Sequence, residues 1–231
     1  MTKDYGGDVF LQGCGSEGTE ELNEAKIPAG CGYFPGHLGP AEQSELLAVI
    51  RAAIAQAPLY TPTMPRTDKP FSVAMTNCGP LGWVSDKAGG YRYEQRHPGT
   101  GEPWPPIPPQ LLLLWSALTG DSRLPQACLI NYYGGKAKLG LHRDEDESDF
   151  SAPILSVSLG DSALFRIGGL ARRDPTTRMI LASGDVLVMG GPSRLRYHGI
   201  DRIMPGTSDL LAEGGRFNLT LRYVGAGPQA A

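Results

Sequence analysis

Arg216-Phe217-Asn218-Leu219-Thr220-Leu221-Arg222 is written in period two. On a strand, alternate side chains point to opposite faces. Phe217, Leu219 and Leu221 therefore share one face, and Arg216, Asn218, Thr220 and Arg222 the other. The apolar face suits a core. The other face carries two arginines into whatever the sheet encloses, and buried arginines need anionic partners. At about 3.3 Å per residue, the two arginines stand roughly 20 Å apart along the strand. Two extended guanidinium arms and a five-carbon dicarboxylate together about span that gap, and the arginine fork suits carboxylates. Taken alone, the stretch also reads as a solvent-facing edge strand with two ordinary arginines.

From about Ala127 onward the same language repeats. Ala127–Tyr133, Lys138–His142, Ile154–Leu159, Ala163–Ile167, Arg178–Leu181, Asp185–Met189, Arg194–His198 and Arg216–Val224 are short, apolar and separated by turn residues. Before them, Leu46, Leu47, Ile50 and Ile54 fall at helical spacing between Pro40 and Ala57, and a second helix is predicted from about Gln110 to Leu118. The pattern predicts an α+β fold, mainly β: a double-stranded β-helix (jelly roll) with N-terminal helices packed on the sheet. Its core is placed at about 127–224, within one domain spanning 27–231. Residues 1–26, with six acids and two lysines, are predicted to form a flexible acidic tail.

The 231 residues include 31 glycines and 20 prolines without a collagen-like period. No apolar run of about 18 residues is present, and the N-terminus lacks the charged-then-apolar plan of a secretory signal. The expected address is the cytoplasm, with no membrane association. Cys14, Cys31, Cys78 and Cys128 form no C-x-x-C pair, so they are read as reduced thiols, two of them buried. Arg166, Arg172, Arg173, Arg178, Arg194 and Arg196 cluster within 166–196. On charge alone they read as a solvated face, although such a cluster can also meet phosphates.

His142 and Asp144 in Leu141-His142-Arg143-Asp144 are spaced to share a strand face. Two histidines and one carboxylate make the facial triad of non-haem Fe(II) oxygenases, which leaves coordination positions open. His198, in Arg196-Tyr197-His198-Gly199, is the candidate third ligand. The H-x-D pair alone is a weak signal, since a histidine bonded to an acid in a sheet looks the same. The arginine strand shifts the balance toward a metal and cosubstrate site. His37 and His97 lie in Pro/Gly-rich loops and read as surface residues.

With these pieces in place, the chain from about Phe71 to Tyr223 resembles the bacterial AlkB family of Fe(II)/2-oxoglutarate dioxygenases. The likeness runs through Ser72–Gly79, Leu81-Gly82-Trp83, Ala127–Asn131, Ile154–Gly160, Gly184-Asp185-Val186 and Tyr197–Ile200. It closes on Arg216–Arg222, similar to the family's R-x-N-x-T-x-R signature. The resemblance implies His142, Asp144 and His198 as iron ligands at the catalytic centre. It implies Asn131, Tyr133, Arg216, Asn218 and Arg222 as the 2-oxoglutarate site, with Arg216 on the distal carboxylate and Arg222 nearer the iron. Met75, Trp83, Tyr91, Tyr93 and Asp146 are implied as the base pocket, and Arg172 as a substrate-side arginine. Without that context Trp83 reads as a packing tryptophan and Asp146 as an exposed acid. Arg143, Glu145, Arg196 and Met189 depart from the familiar bacterial pattern.

The implied activity is oxidative demethylation of N1-methyladenine and N3-methylcytosine in single- or double-stranded DNA, with RNA as an alternative. Fe(II) is the cofactor, and 2-oxoglutarate and O2 are the cosubstrates; succinate and formaldehyde are released. A monomer without an obligate protein partner is expected. Two other readings share some of these residues. One is a dioxygenase for a protein side chain or small metabolite, which needs no stacking tryptophan. The other is a nucleic-acid-binding module with a defunct metal site, against which the complete triad and both arginines speak.

Overall fold

A computed structural model describes residues 27–225, so the predicted tail at 1–26 and Cys14 lie outside the described residues. The elements are β1 (Cys31–Phe34), α1 (Pro40–Gln56), β2 (Ala74–Cys78), β3 (Gly82–Asp86), β4 (Gly90–Glu94), α2 (Pro109–Thr119) and β5 (Ala127–Tyr133). They continue with β6 (Leu139–His142), β7 (Ile154–Gly160), β8 (Ser162–Ile167), β9 (Thr177–Leu181), β10 (Val186–Met189), β11 (His198–Met204) and β12 (Arg216–Arg222). A six-stranded sheet runs β1-β10-β7-β12-β5-β2, a four-stranded sheet runs β6-β11-β8-β9, and β3–β4 is a hairpin. All of these pairings are antiparallel. This is the expected jelly roll, with the helices on the outer face of the larger sheet.

Strand β12 lies between β5 and β7, so it is central rather than an edge. Its Phe217, Leu219 and Leu221 join Leu46, Ile50, Leu111 and Trp115 in the core between sheet and helices. A second core, which includes Met75, Phe165 and Met189, lies between the two sheets. Helix α1 starts at Pro40, whose fixed φ suits the first turn, and the Glu42 carboxylate accepts the Gly39 N–H at 2.7 Å. It stops at Ala57, ahead of Pro58, because the residue before proline avoids helical geometry. Helix α2 ends on Gly120 at φ 67°, a left-handed cap that costs glycine little.

Several details differ from the sequence expectations. Two strands of the large sheet, β1 and β2, precede residue 127, as does the β3–β4 hairpin. β2 lacks apolar alternation: Thr76 is buried by donating to the Ala57 carbonyl, and the Asn77 side chain bonds the Trp83 backbone in both directions. The strand predicted at Arg194–His198 is instead β11, which begins at His198. Before it, a short 3-10 turn over Gly191–Ser193 and a buried Arg194 shape the chain. His97 is buried, not at the surface: its Nε2 lies 2.8 Å from the Pro58 carbonyl, and it packs on Tyr60 and Trp104. Cys78 and Cys128 are buried as expected. The arginines of 166–196 do not form one solvated face, because Arg194 is internal while Arg166 and Arg178 both pair with Asp201. Among the described residues, no helix is long and apolar enough to cross a membrane.

Leu219 is fully buried, whereas Leu113 on the outer face of α2 is 71% exposed. Leu219→Ala is expected to cost about 2–5 kcal/mol of stability and Leu113→Ala less than about 0.5 kcal/mol. Urea denaturation of the two variants beside the parent checks both.

Candidate metal and cosubstrate site

A cavity of about 700 Å³ opens between the two sheets. At one wall, β6 and β11 lie so close that a Cβ on Gly199 would stand 2.5 Å from the Leu139 carbonyl oxygen. Only glycine permits that approach. It brings His142 opposite His198 in the register, with ring centroids 4.5 Å apart. Asp144 comes from the loop just after β6, so His142 and Asp144 do not share a strand face as the spacing suggested. Asp146 likewise lies beyond the strand end. Even so, one ligand atom from each of His142, Asp144 and His198 lies within 4.8 Å of the others.

The neighbours orient these atoms. His142 Nδ1 lies 2.9 Å from the Gly140 carbonyl and His198 Nδ1 3.0 Å from that of Arg196. A carbonyl only accepts, so each ring carries its proton on Nδ1 and leaves Nε2 free as a metal ligand. The Asp144 Oδ2 is occupied by Arg222, whose Nε and Nη2 donate at 3.0 and 2.8 Å. Its Oδ1 is turned toward His142 Nε2, 3.6 Å away. Burial by itself would raise the Asp144 carboxyl. The Arg222 guanidinium, with smaller help from the two histidines, more than offsets that and holds it well below the usual carboxylate range. Burial, reinforced by His142, lowers His198 to about 4. At neutral pH the cluster therefore presents a neutral His198 imidazole and an ionised Asp144 carboxylate, the protonation states a divalent metal requires of such ligands.

The same cavity receives the polar face of β12: Arg216, Asn218, Thr220 and Arg222 all line it. Asn131 and Tyr133 line it too, paired in register with Asn218 and Arg216. Arg216 is completely buried and bonds only neutral oxygens, with Ser158 Oγ at 2.6 Å and the Leu181 carbonyl at 3.2 Å. Burial lowers it to about 10, so it remains a cation at neutral pH; the Asp185 carboxylate acts on it only at a distance, and among the described residues Arg216 forms no ion pair. Arg216 Nε, Arg222 Nη1 and Asn131 Oδ1 are buried and lack hydrogen-bond partners among the described residues. A buried cation and the orphaned N–H groups of Arg216 and Arg222 around one cavity fit a dicarboxylate; the His-Asp-His donor set fits Fe(II).

The β3–β4 hairpin forms the mouth. Trp83 stacks on Tyr91 with centroids 5.6 Å apart and planes 22° apart, and its indole N–H donates to Asp146 Oδ2 at 2.7 Å. Met75, Trp83, Tyr91, Asp146 and Arg172 all line the cavity, and Arg172 Nη1 donates to the Leu141 carbonyl at 2.7 Å. Tyr93 departs from the expected base pocket: it is not among the cavity-lining residues, because its hydroxyl donates to Glu147 deeper in the protein. Sequence reasoning missed Glu147 and the buried role of Arg194. The only signal for either lay within an acidic run and an arginine-rich segment, both of which look solvated.

A family model described as "2OG-Fe(II) oxygenase superfamily" matches residues 30–222. The chain belongs to this superfamily. This dioxygenase is 52% identical over 196 residues to the "Alpha-ketoglutarate-dependent dioxygenase AlkB homolog" of Caulobacter vibrioides, covering 85% of this chain and 88% of the relative. It is 48% identical over 159 residues to "Alpha-ketoglutarate-dependent dioxygenase AlkB" of Escherichia coli, covering 67% and 73%. Within the superfamily it is a bacterial AlkB-family member, and Fe(II), 2-oxoglutarate and O2 are its cofactor and cosubstrates. The solved structure of OsALKBH1 superposes with a TM-score of 0.69 at 31% identity, covering 85% of this chain and 99% of that one.

Burial holds folded His198 at a pKa of about 4, against about 6.5 for an imidazole in the unfolded chain. Between these limits the unfolded chain binds the extra proton, so this contribution is complete above about pH 6.5 and is lost as pH falls toward 4, by at most about 1.4 kcal/mol per unit. Urea unfolding of the metal-free dioxygenase at pH 7 and pH 5 should show the loss, and His198→Gln should shrink the difference.

Proposed function

We propose that this dioxygenase demethylates ring nitrogens of alkylated nucleobases, N1-methyladenine and N3-methylcytosine among them, in DNA and, as a second substrate class, RNA. One juxtaposition carries the reading: the His-Asp-His cluster, the buried Arg216 and the Trp83–Tyr91 stack all face a single cavity. When bound, iron and 2-oxoglutarate would supply O2 activation that oxidises the methyl carbon, with succinate and carbon dioxide from 2-oxoglutarate and formaldehyde from the methyl group as products.

The chain's own residues supply position and charge. His142 and His198 offer Nε2 and Asp144 offers Oδ1 to the metal, each held by the partner on its other atom. Arg216 takes the distal carboxylate of 2-oxoglutarate, with Asn131, Tyr133 and Asn218 alongside and Arg222 nearer the metal. Trp83 and Tyr91 give an aromatic wall for an extruded base, since every base has a π face. Met75 lines the same pocket. Asp146 accepts a hydrogen bond from an exocyclic amine, and its charge favours a cationic, methylated base over a neutral one. A methylated base that cannot pair normally also costs less to flip from the stack. Arg172 at the rim meets a backbone phosphate. A monomer acting without an obligate protein partner belongs to the same proposal. A nucleic-acid substrate also suits the cytoplasmic address expected from the sequence.

The direct test is incubation with Fe(II), 2-oxoglutarate and single-stranded DNA containing N1-methyladenine. Restored adenine and formaldehyde are expected; absence of both from the loaded protein overturns the reading. Loss of its charge-assisted fork in Arg216→Ala should raise the 2-oxoglutarate requirement about 10- to 100-fold, and an unchanged requirement would refute the cosubstrate assignment. Trp83→Ala should weaken oligonucleotide binding about 5- to 100-fold through lost stacking. Full oligonucleotide binding and turnover by Trp83→Ala would instead remove Trp83 from the base wall.

A further inference from the structure

Behind the iron cluster lies a set of buried side chains to which the proposed chemistry assigns no task. Arg194 Nη2 meets Glu147 Oε2 at 2.9 Å, and both side chains are 2% exposed. The other oxygen of Glu147, Oε1, accepts a hydrogen bond from the Tyr93 hydroxyl and lies 3.4 Å from Arg222 Nε. Arg222 in turn holds Asp144 Oδ2. Arg194 also reaches Asp144 by the main chain: its Nη1 donates to the Asp144 carbonyl at 2.8 Å. Asp144 is therefore gripped at side chain and backbone by two arginines, and Glu147 touches both.

We infer that Glu147 is a positioning residue that couples the β3–β4 hairpin to the metal ligand Asp144. The inference rests on the reading of His142, Asp144 and His198 as iron ligands. Two buried guanidinium groups face two buried carboxylates. Removing the Glu147 charge leaves Arg194 without its ionic partner and Arg222 with Asp144 alone. Arg222 Nε, which both carboxylates approach, then has only Asp144 to fix the guanidinium plane, and that plane decides which Asp144 oxygen is free for metal. The hairpin enters through two contacts on one short loop. Trp83 donates to Asp146, and Tyr93, paired with Trp83 across the hairpin, donates to Glu147. A purely structural ion pair between Arg194 and Glu147 needs neither contact. Because the hairpin also carries the Trp83–Tyr91 wall, a base docked on that wall and a metal held by Asp144 act on the same loop. Partners behind metal ligands commonly change metal affinity 10- to 100-fold when removed.

The test measures Mn(II) binding to metal-free protein by calorimetry, without O2 or turnover, in Glu147→Gln, Tyr93→Phe, Asp144→Ala and Ser85→Ala. Ser85 lies on the same hairpin and donates to the Thr63 carbonyl at 2.6 Å, away from the network, so its variant controls for general loosening. The expected result is an approximately 10-fold weaker Kd in Glu147→Gln and about 3-fold in Tyr93→Phe, with Ser85→Ala unchanged. If Glu147→Gln does not fold, Tyr93→Phe decides, since it removes one hydroxyl and little volume. Wild-type affinity in Tyr93→Phe, or an equal loss in Ser85→Ala, overturns the coupling. Wild-type affinity in Asp144→Ala overturns the iron-ligand reading instead, so the two failures are distinguishable.

Discussion

The fork from Arg222 to Asp144 is the contact on which the centre depends. A carboxylate buried between two sheets is costly to ionise, and a neutral carboxyl is a poor metal ligand. Arg222 resolves the conflict by occupying Oδ2 with two N–H groups, which keeps Asp144 charged and leaves Oδ1 facing His142. The two histidines are prepared by other means: backbone carbonyls take their Nδ1 protons, so both rings present the same nitrogen inward. Each ligand is thus set by a neighbour before any metal arrives, which lowers the reorganisation that binding requires.

Strand β12 joins scaffold to chemistry. Its apolar side closes the core beneath the helices, while its polar side supplies Arg216, Asn218 and Arg222 to the cavity. A one-residue slip in register would exchange the two sides, burying the arginines against leucines and emptying the cavity of charge. Pairing on both edges, with β5 and β7, makes such a slip costly. Arg216 hydrogen-bonds only neutral oxygens and has Asp185 only at a distance, and a dicarboxylate would supply the direct anionic partner it lacks among the described residues.

Much of this was legible in the residues. The two faces of Arg216–Arg222, both helices and most strands after Ala127 follow from local period and turn chemistry. His142, Asp144 and His198 were nameable from residue type, although for a partly mistaken reason: Asp144 sits past the end of β6, and the loop rather than the pleat delivers it. β2 escaped because its buried polar residues are satisfied by distant backbone, as with Thr76 and Ala57. His97 escaped because a Pro/Gly-rich loop looks exposed until Trp104 and Tyr60 cover it. The pairing of Tyr93 with Glu147 escaped because the two are partners across 54 residues of chain, and no local pattern marks one hydroxyl for one carboxylate.

The sequence by itself determined which chemical groups were available and which faces of the strands would carry them, since both depend on residue type and a two-residue period. Only the tertiary structure decided which groups meet. Arg222 with Asp144, His142 with His198, and Glu147 with both Tyr93 and Arg194 are joined by strand pairing and loop paths. Those distances are set by packing of the whole chain and leave no trace in local spacing.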